Sequence, residues 1–234
     1  MRSAFPFFFL CLFALSNCAH RDPELSRHVH NGDETESCQP YSNCESDWRK
    51  QKPIQISRRA FSGSKLTFES HAGYLTMKLP YEFIRPVLAE VQTRENLKLL
   101  TRGESHVTVI TPPEEAVLKG EGVLPQLIDA QAQREKIQDS KLNSVCLGRG
   151  QAAVEGVIEK TYFIVLDADR LRQLRLQIAE LIPKDQKSGV NRFEPGRYLP
   201  HLTVGFTRQD LFEQNGVVKD ISSCIYPLEL IPEI

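Results

Sequence analysis

The sequence predicts an α+β fold in which one strand–helix–strand unit occurs twice, the copies pairing about a pseudo-twofold axis around a central cleft. Three observations predict it. Segments with period-two alternation flank segments with helical period over 74–110 and again over 161–206. Each copy closes on a strand reading His-x-Thr-Val, HVTV at 106–109 and HLTV at 201–204. The chain has 234 residues, 41% hydrophobic and 25% charged, an ordinary globular composition long enough to bury a core.

Residues 1–18 (MRSAFPFFFLCLFALSNC) place a single Arg before an apolar run over 4–15. That run is short for a bilayer span and has the shape of an export signal. Its end, Leu15-Ser16-Asn17-Cys18, resembles the lipobox of bacterial lipoproteins, with Asn17 where a small residue is usual. Cleavage after Ser16 or Cys18 fits as well. A membrane-anchored lipoprotein carrying lipid on Cys18 and a secreted soluble protein both remain open.

Residues 19–60 are polar and rich in turn formers, as a tether would be. Their histidines, His20, His28 and His30, lack partners at a metal-ligand spacing and are expected to be solvated. The remaining domain is expected over 61–234. Beyond the signal stand Cys38, Cys44, Cys146 and Cys224. Cys38–Cys44 is the preferred first bridge, while Cys146 and Cys224 fit either buried thiols in neighbouring strands or a second bridge.

Within the domain, 74–79 (YLTMKL) alternates as a strand, 81–100 has helical character beginning or kinking near Pro86, and 106–110 (HVTVI) is a strand. Thr111-Pro112-Pro113-Glu114 then supplies a Thr N-cap, Pro at the first helical position and a capping-box Glu, so a helix starts there. An insert follows, with helical character over 124–138 and a strand pair over 144–154 (SVCLGRGQAAV) folded about Gly-Arg-Gly. In the second copy 161–166 (TYFIVL) is a strand. Residues 170–182 form an amphipathic helix with Leu171, Leu174, Ile178, Leu181 and Ile182 on its apolar face, capped by Asp167 or Asp169. Residues 201–206 (HLTVGF) close the copy.

Net charge is −1, and −2 without residues 1–18, whose only charged side chain is Arg2. That balance argues against gripping duplex nucleic acid through many phosphate contacts and leaves small nucleotides or RNA ends as ligands.

In a strand, residues two apart share a face, so His106 projects with Thr108 and His201 with Thr203. Pairing of the copies brings two imidazoles to one small space. One neutral His can accept a proton from an attacking water or hydroxyl while a protonated one gives a proton to the leaving oxygen, and a His pKa near 6.5 allows both states near neutrality. Each Thr hydroxyl can donate to a phosphate oxygen. One His-x-Thr pair in a strand is ordinary surface chemistry, and the repetition gives the pattern its weight.

Arg149 and Tyr198 join the candidate substrate-binding residues, against the plainer readings of a solvated turn Arg and a packing Tyr. Arg197, Tyr74 and Tyr162 are weaker candidates of the same kinds. His71 is expected at the surface, and Glu104 is expected to face away from His106. No HExxH helix or carboxylate cluster accompanies either motif His, so neither metal nor cofactor is expected.

Glu104-Ser105-His106-Val107-Thr108-Val109-Ile110 and Tyr198-Leu199-Pro200-His201-Leu202-Thr203-Val204-Gly205-Phe206 resemble the paired motifs of the two-histidine phosphoesterase superfamily, which includes 2′,5′-RNA ligase-like and cyclic phosphodiesterase enzymes. The resemblance covers roughly 65–231. It implies a bilobal fold of two α+β halves with antiparallel-rich sheets, no metal, and cleavage of 2′,3′-cyclic or related phosphodiesters. It also implies His106 and His201 as the catalytic pair and Thr108 and Thr203 as phosphate-binding hydroxyls. The rival expectation is a non-catalytic exported lipoprotein of this fold that binds a phosphorylated ligand or a protein partner.

Overall fold

The computed structural model describes residues 47–61, 67–71, 74–183 and 192–232. The export signal with Cys18, most of the tether, its three histidines and Cys38 and Cys44 lie outside the described residues.

The described chain is α+β. Its strands are β1 (Ile54–Ser57), β2 (Thr67–His71), β3 (Tyr74–Leu79), β4 (Ser105–Ile110), β5 (Asn143–Val154), β6 (Val157–Asp167), β7 (His201–Phe206) and β8 (Cys224–Ile231). Its α-helices are α1 (Arg85–Glu95), α2 (Pro112–Gly120), α3 (Pro125–Arg134) and α4 (Asp169–Glu180). The strands form one sheet in the order β1-β8-β5-β6-β7-β4-β3-β2, antiparallel except for β1 beside β8. The elements of the two predicted copies are therefore neighbours in a continuous sheet, with β4 and β7 joined at Val107 and Leu202.

Alternation assigns the two faces. Val107, Val109, Leu202 and Val204 are buried in the larger core, together with Val87, Leu88 and Val91 of α1 and Leu171, Leu174 and Ile178 of α4. Burying each such side chain is worth about 1.5–3 kcal/mol, which pins the register of β4 and β7. His106, Thr108, His201 and Thr203 are only partly buried, on the opposite face. There a smaller core of Cys146, Phe163, Val165, Leu211, Val217 and Cys224 covers the neighbouring strands.

Local signals and outcome agree where the signal is local. Pro112 opens α2, Thr111 Oγ1 accepts from the Glu114 amide at 3.4 Å, and Glu114 accepts from the Thr111 amide at 2.9 Å, completing the capping box. Helix α1 is shorter than the 81–100 segment. It ends at Asn96, whose φ is 49°, because Leu100 must extend to exchange backbone hydrogen bonds with Phe206 at the edge of β7. Helix α4 is not capped by Asp167 or Asp169; Ala168 occupies the N-cap and both carboxylates pair with Arg172 instead.

The Gly-Arg-Gly segment makes no turn: 143–154 is one strand. Its glycines are there for close approach, since a Cβ on Gly148 would lie 2.6 Å from the Phe163 ring and one on Gly150 2.2 Å from Val217. Residues 54–57, inside the stretch read as tether, form β1 with Ile54 and Ile56 buried.

Cys146 and Cys224 are bridged, tying β5 to the first residue of β8 across a separation of 78 residues. Because the bridge restricts the unfolded chain over that length, reducing it is expected to cost about 2–4 kcal/mol. Urea unfolding with and without reductant measures this loss, and an unchanged midpoint would contradict it.

Candidate active site

The antiparallel pair Val107–Leu202 sets the site's frame. One residue away on either side, the register carries His106 towards Thr203 and Thr108 towards His201, all on the face away from α1 and α4. Diagonal partners such as the two imidazoles then sit about 7–8 Å apart at their Cα atoms. All four side chains line one cleft of about 950 Å³, with Tyr198 in the same wall.

Nδ1 of each imidazole faces a neighbouring oxygen. In His201 that nitrogen lies 2.8 Å from the Leu199 carbonyl oxygen, so it carries the hydrogen and donates. The Phe163 ring meets His201 edge-on, 6.0 Å between centroids. In His106, Nδ1 lies 3.4 Å from a Glu104 carboxylate oxygen. Glu104 thus does not face away from His106; two residues apart in extended chain, they share a side. Nε2 is the nitrogen of each ring turned away from these oxygens.

The electrostatics of the two rings differ. Burial pushes His201 down to about 4, reinforced by the Lys219 cation and opposed by the Leu199 carbonyl and Asp210. Burial also lowers His106, but the Glu104 carboxylate opposes it, against smaller effects of Arg102 and Lys78. His201 is the ring held neutral, and His106 has the nearer anion.

Asp210 is a cleft residue that the sequence reading did not single out. Its buried carboxylate accepts from Thr161 at 2.8 Å and Lys219 at 3.0 Å on one oxygen, and from Thr203 and Arg102 at 3.2 Å each on the other. Burial alone would raise its pKa; Lys219, Thr161 and Arg102 together hold it below the usual carboxylate range. An ionised carboxylate only accepts, so the single Thr203 hydroxyl hydrogen is committed to Asp210. Lys219 is itself buried, its ammonium 5.0 Å from the Phe212 ring centroid and 5.6 Å from that of Phe163. Asp210, Arg102 and Lys219 sit in polar loops, and only tertiary contact joins them.

Arg149 does not reach the cleft. It stands across from Tyr162, on the face opposite Phe163 and His201, and pairs with Glu95 at 3.1 Å. Tyr162 is buried on that same side and donates to Glu95 at 2.8 Å; burial, and after it Glu95, raises its pKa, and it is no stacking platform. Tyr198 donates to the Thr108 carbonyl at 3.1 Å, fixing the 193–200 loop against β4. Tyr74 lines the cleft, as does Arg197, which pairs with Glu213. His71 lies in β2. Among the described residues no group of three or more His, Cys, Asp and Glu side chains is gathered as for a metal ion.

Residues 73–212 match the family described as Swiss Army Knife, 2H phosphoesterase domain. The chain belongs to the 2H phosphoesterase superfamily. The matched span contains both His-x-Thr motifs, Glu104, Arg102 and Asp210, and it stops short of Lys219. Neither a curated protein nor a solved structure matches the chain. Membership supports phosphodiesterase-type chemistry in general terms, and the cleft of this 2H phosphoesterase is where the two motifs meet.

Proposed function

We propose that the protein hydrolyses 2′,3′-cyclic or related phosphodiesters of nucleotides or RNA ends without a metal, using His201 as general base and His106 as general acid. The observation that carries this reading is the presence of two imidazoles on one face of one cleft, one hydrogen-bonded to a carbonyl and the other beside a carboxylate. Neutral His201 takes a proton from water as its oxygen attacks phosphorus. The bond to the leaving oxygen breaks as His106 gives that oxygen its proton, producing a phosphomonoester and restoring both rings after proton exchange. Thr108 donates to a non-bridging oxygen; Tyr198 shapes the wall beside it, and Thr203 acts through Asp210.

The mirrored order β5-β6-β7 against β4-β3-β2, with α4 and α1 as counterparts, supports reading the domain as a duplicated unit with two halves. The apolar N-terminal run and the Cys146–Cys224 bridge support an exported location, since such bridges persist in oxidising compartments.

A panel of cyclic, linear diester and monoester nucleotides tested with chelator checks the substrate class. Turnover of monoesters with none of either diester would overturn it. The pH dependence of kcat/KM checks the roles. Activity requires neutral His201, so it is lost as pH falls through about 4, and protonated His106, so it is lost as pH rises through a value below 6.5. The expected profile is a bell with its optimum on the acid side of neutrality. Glu104→Gln removes the carboxylate that raises His106 and is expected to move the alkaline limb to lower pH. An optimum above pH 7, or an unmoved limb, contradicts the assignment.

A further inference from the structure

The commitment of Thr203 to Asp210 leaves one side of the phosphate position without its expected hydroxyl donor. A stronger donor stands beside it. The guanidinium of Arg102 and the hydroxyl of Thr203 meet the same Asp210 oxygen, each at 3.2 Å, so the two groups are neighbours. Arg102 lies in the turn 101–104 that leads into β4. Gly103, with φ 72°, makes that turn, and both Arg102 and Glu104 line the cleft on either side of it. The Arg102 side chain is 45% exposed, and one of its terminal nitrogens donates to Asp210. A guanidinium has five N–H donors in a fixed fork matched to phosphate oxygens, and Asp210 uses only part of it. Its charge is felt at His106 as well as at Asp210 and Lys219.

The local charge fits a diester. Arg102 and Lys219 bring two cations against the one anion of Asp210, and the protonated His106 of the proposed mechanism offsets Glu104, so one positive charge is left to match the single negative charge of a phosphodiester. We propose that Arg102 is a phosphate-binding residue of the cleft, holding the non-bridging oxygen that Thr203 cannot serve, and that Asp210 is the positioning residue aiming its guanidinium. This rests on the phosphodiesterase reading above for its substrate, but the phosphate contact has a test of its own.

The experiment uses the full chain as wild type, Arg102→Gln, Arg102→Lys, Asp210→Asn, the Arg102→Gln/Asp210→Asn double variant, and Lys98→Gln as an exposed charge control outside the cleft. Inorganic phosphate is titrated while the imidazole NMR signals of His106 and His201 are followed, and KM and kcat for a 2′,3′-cyclic nucleotide are measured alongside. Arg102→Gln is expected to weaken phosphate binding about tenfold or more and to raise KM, with partial recovery in Arg102→Lys, which keeps the charge but not the fork. Lys98→Gln is expected to match wild type. Asp210→Asn is expected to weaken phosphate binding, with clearly less additional effect when Arg102 is already Gln. A purely structural Asp210 would shift the unfolding midpoint but multiply independently with Arg102. Phosphate binding unchanged in Arg102→Gln, independent effects of the two substitutions, or no phosphate binding by wild type would each overturn the proposal. Failure of wild type to turn over any cyclic nucleotide sinks the hydrolytic reading instead, and the phosphate titration still decides Arg102.

Discussion

His106→Ala and His201→Ala are each expected to lower kcat for a 2′,3′-cyclic nucleotide by about 10²–10⁴-fold while the protein stays folded. Both rings line the cleft, on the sheet face away from α1 and α4, so truncation leaves the larger core beneath those helices intact. Under the proposed mechanism the rings form one proton-transfer unit, so the double variant is expected to fall little below the worse single variant. The leaving group separates their roles. A p-nitrophenyl diester releases an oxygen that needs no proton, so His106→Ala should recover much of its loss on that substrate and His201→Ala should not. Equal recovery by both variants would contradict the division into acid and base.

The second large effect is on stability. Arg175→Ala is expected to cost about 3–5 kcal/mol, the range for removing one partner of a buried charge pair. Arg175 projects from α4 with 1% of its side chain exposed. Its guanidinium bonds the Val109 carbonyl at 2.7 Å and Glu114 at 2.6 Å, and it also reaches the carbonyls of Glu194 and Pro195. The rings of Phe193 and Tyr198 each lie 4.7 Å from its Cζ. One side chain thus joins α4, the end of β4, the start of α2 and the loop forming the cleft wall. Its removal leaves Glu114 and three carbonyls without their partner. Lys cannot reproduce the fork, so Arg175→Lys is expected to rescue little. Urea unfolding measures the loss, and a cost below about 1 kcal/mol would show that water replaces these bonds readily.

What the sequence disclosed divides along the range of the interactions. Strands β4 and β7 were legible because β-branched and apolar residues alternate with the polar motif residues, and α2 because its capping box is complete within four residues. The length of α1 was not, since its end is set by a bridge from Leu100 to Phe206, a hundred residues onward. The Gly-Arg-Gly segment carried a local turn signal, but Phe163 and Val217 need those glycines bare, and one continuous strand sends Arg149 to the helix face. Glu104 was within reach of the same alternation that pairs His106 with Thr108, and its expected orientation was a misapplied parity. Arg175 sits among the apolar positions of α4, where a charged residue is ordinarily assigned to solvent; its partners come from three distant segments. Arg102, Asp210 and Lys219 share no spacing at all, and only the folded chain gathers them around Thr203.

The most direct measurement is hydrolysis of a 2′,3′-cyclic nucleotide in oxygen-18-labelled water with excess chelator, followed by phosphorus NMR. The wild-type chain is expected to yield a single phosphomonoester carrying one labelled oxygen, at a rate insensitive to chelator and abolished in the His106→Ala/His201→Ala double variant. No product from wild type, or the same labelled product at an undiminished rate from the double variant, would contradict the shared cleft as the seat of the chemistry.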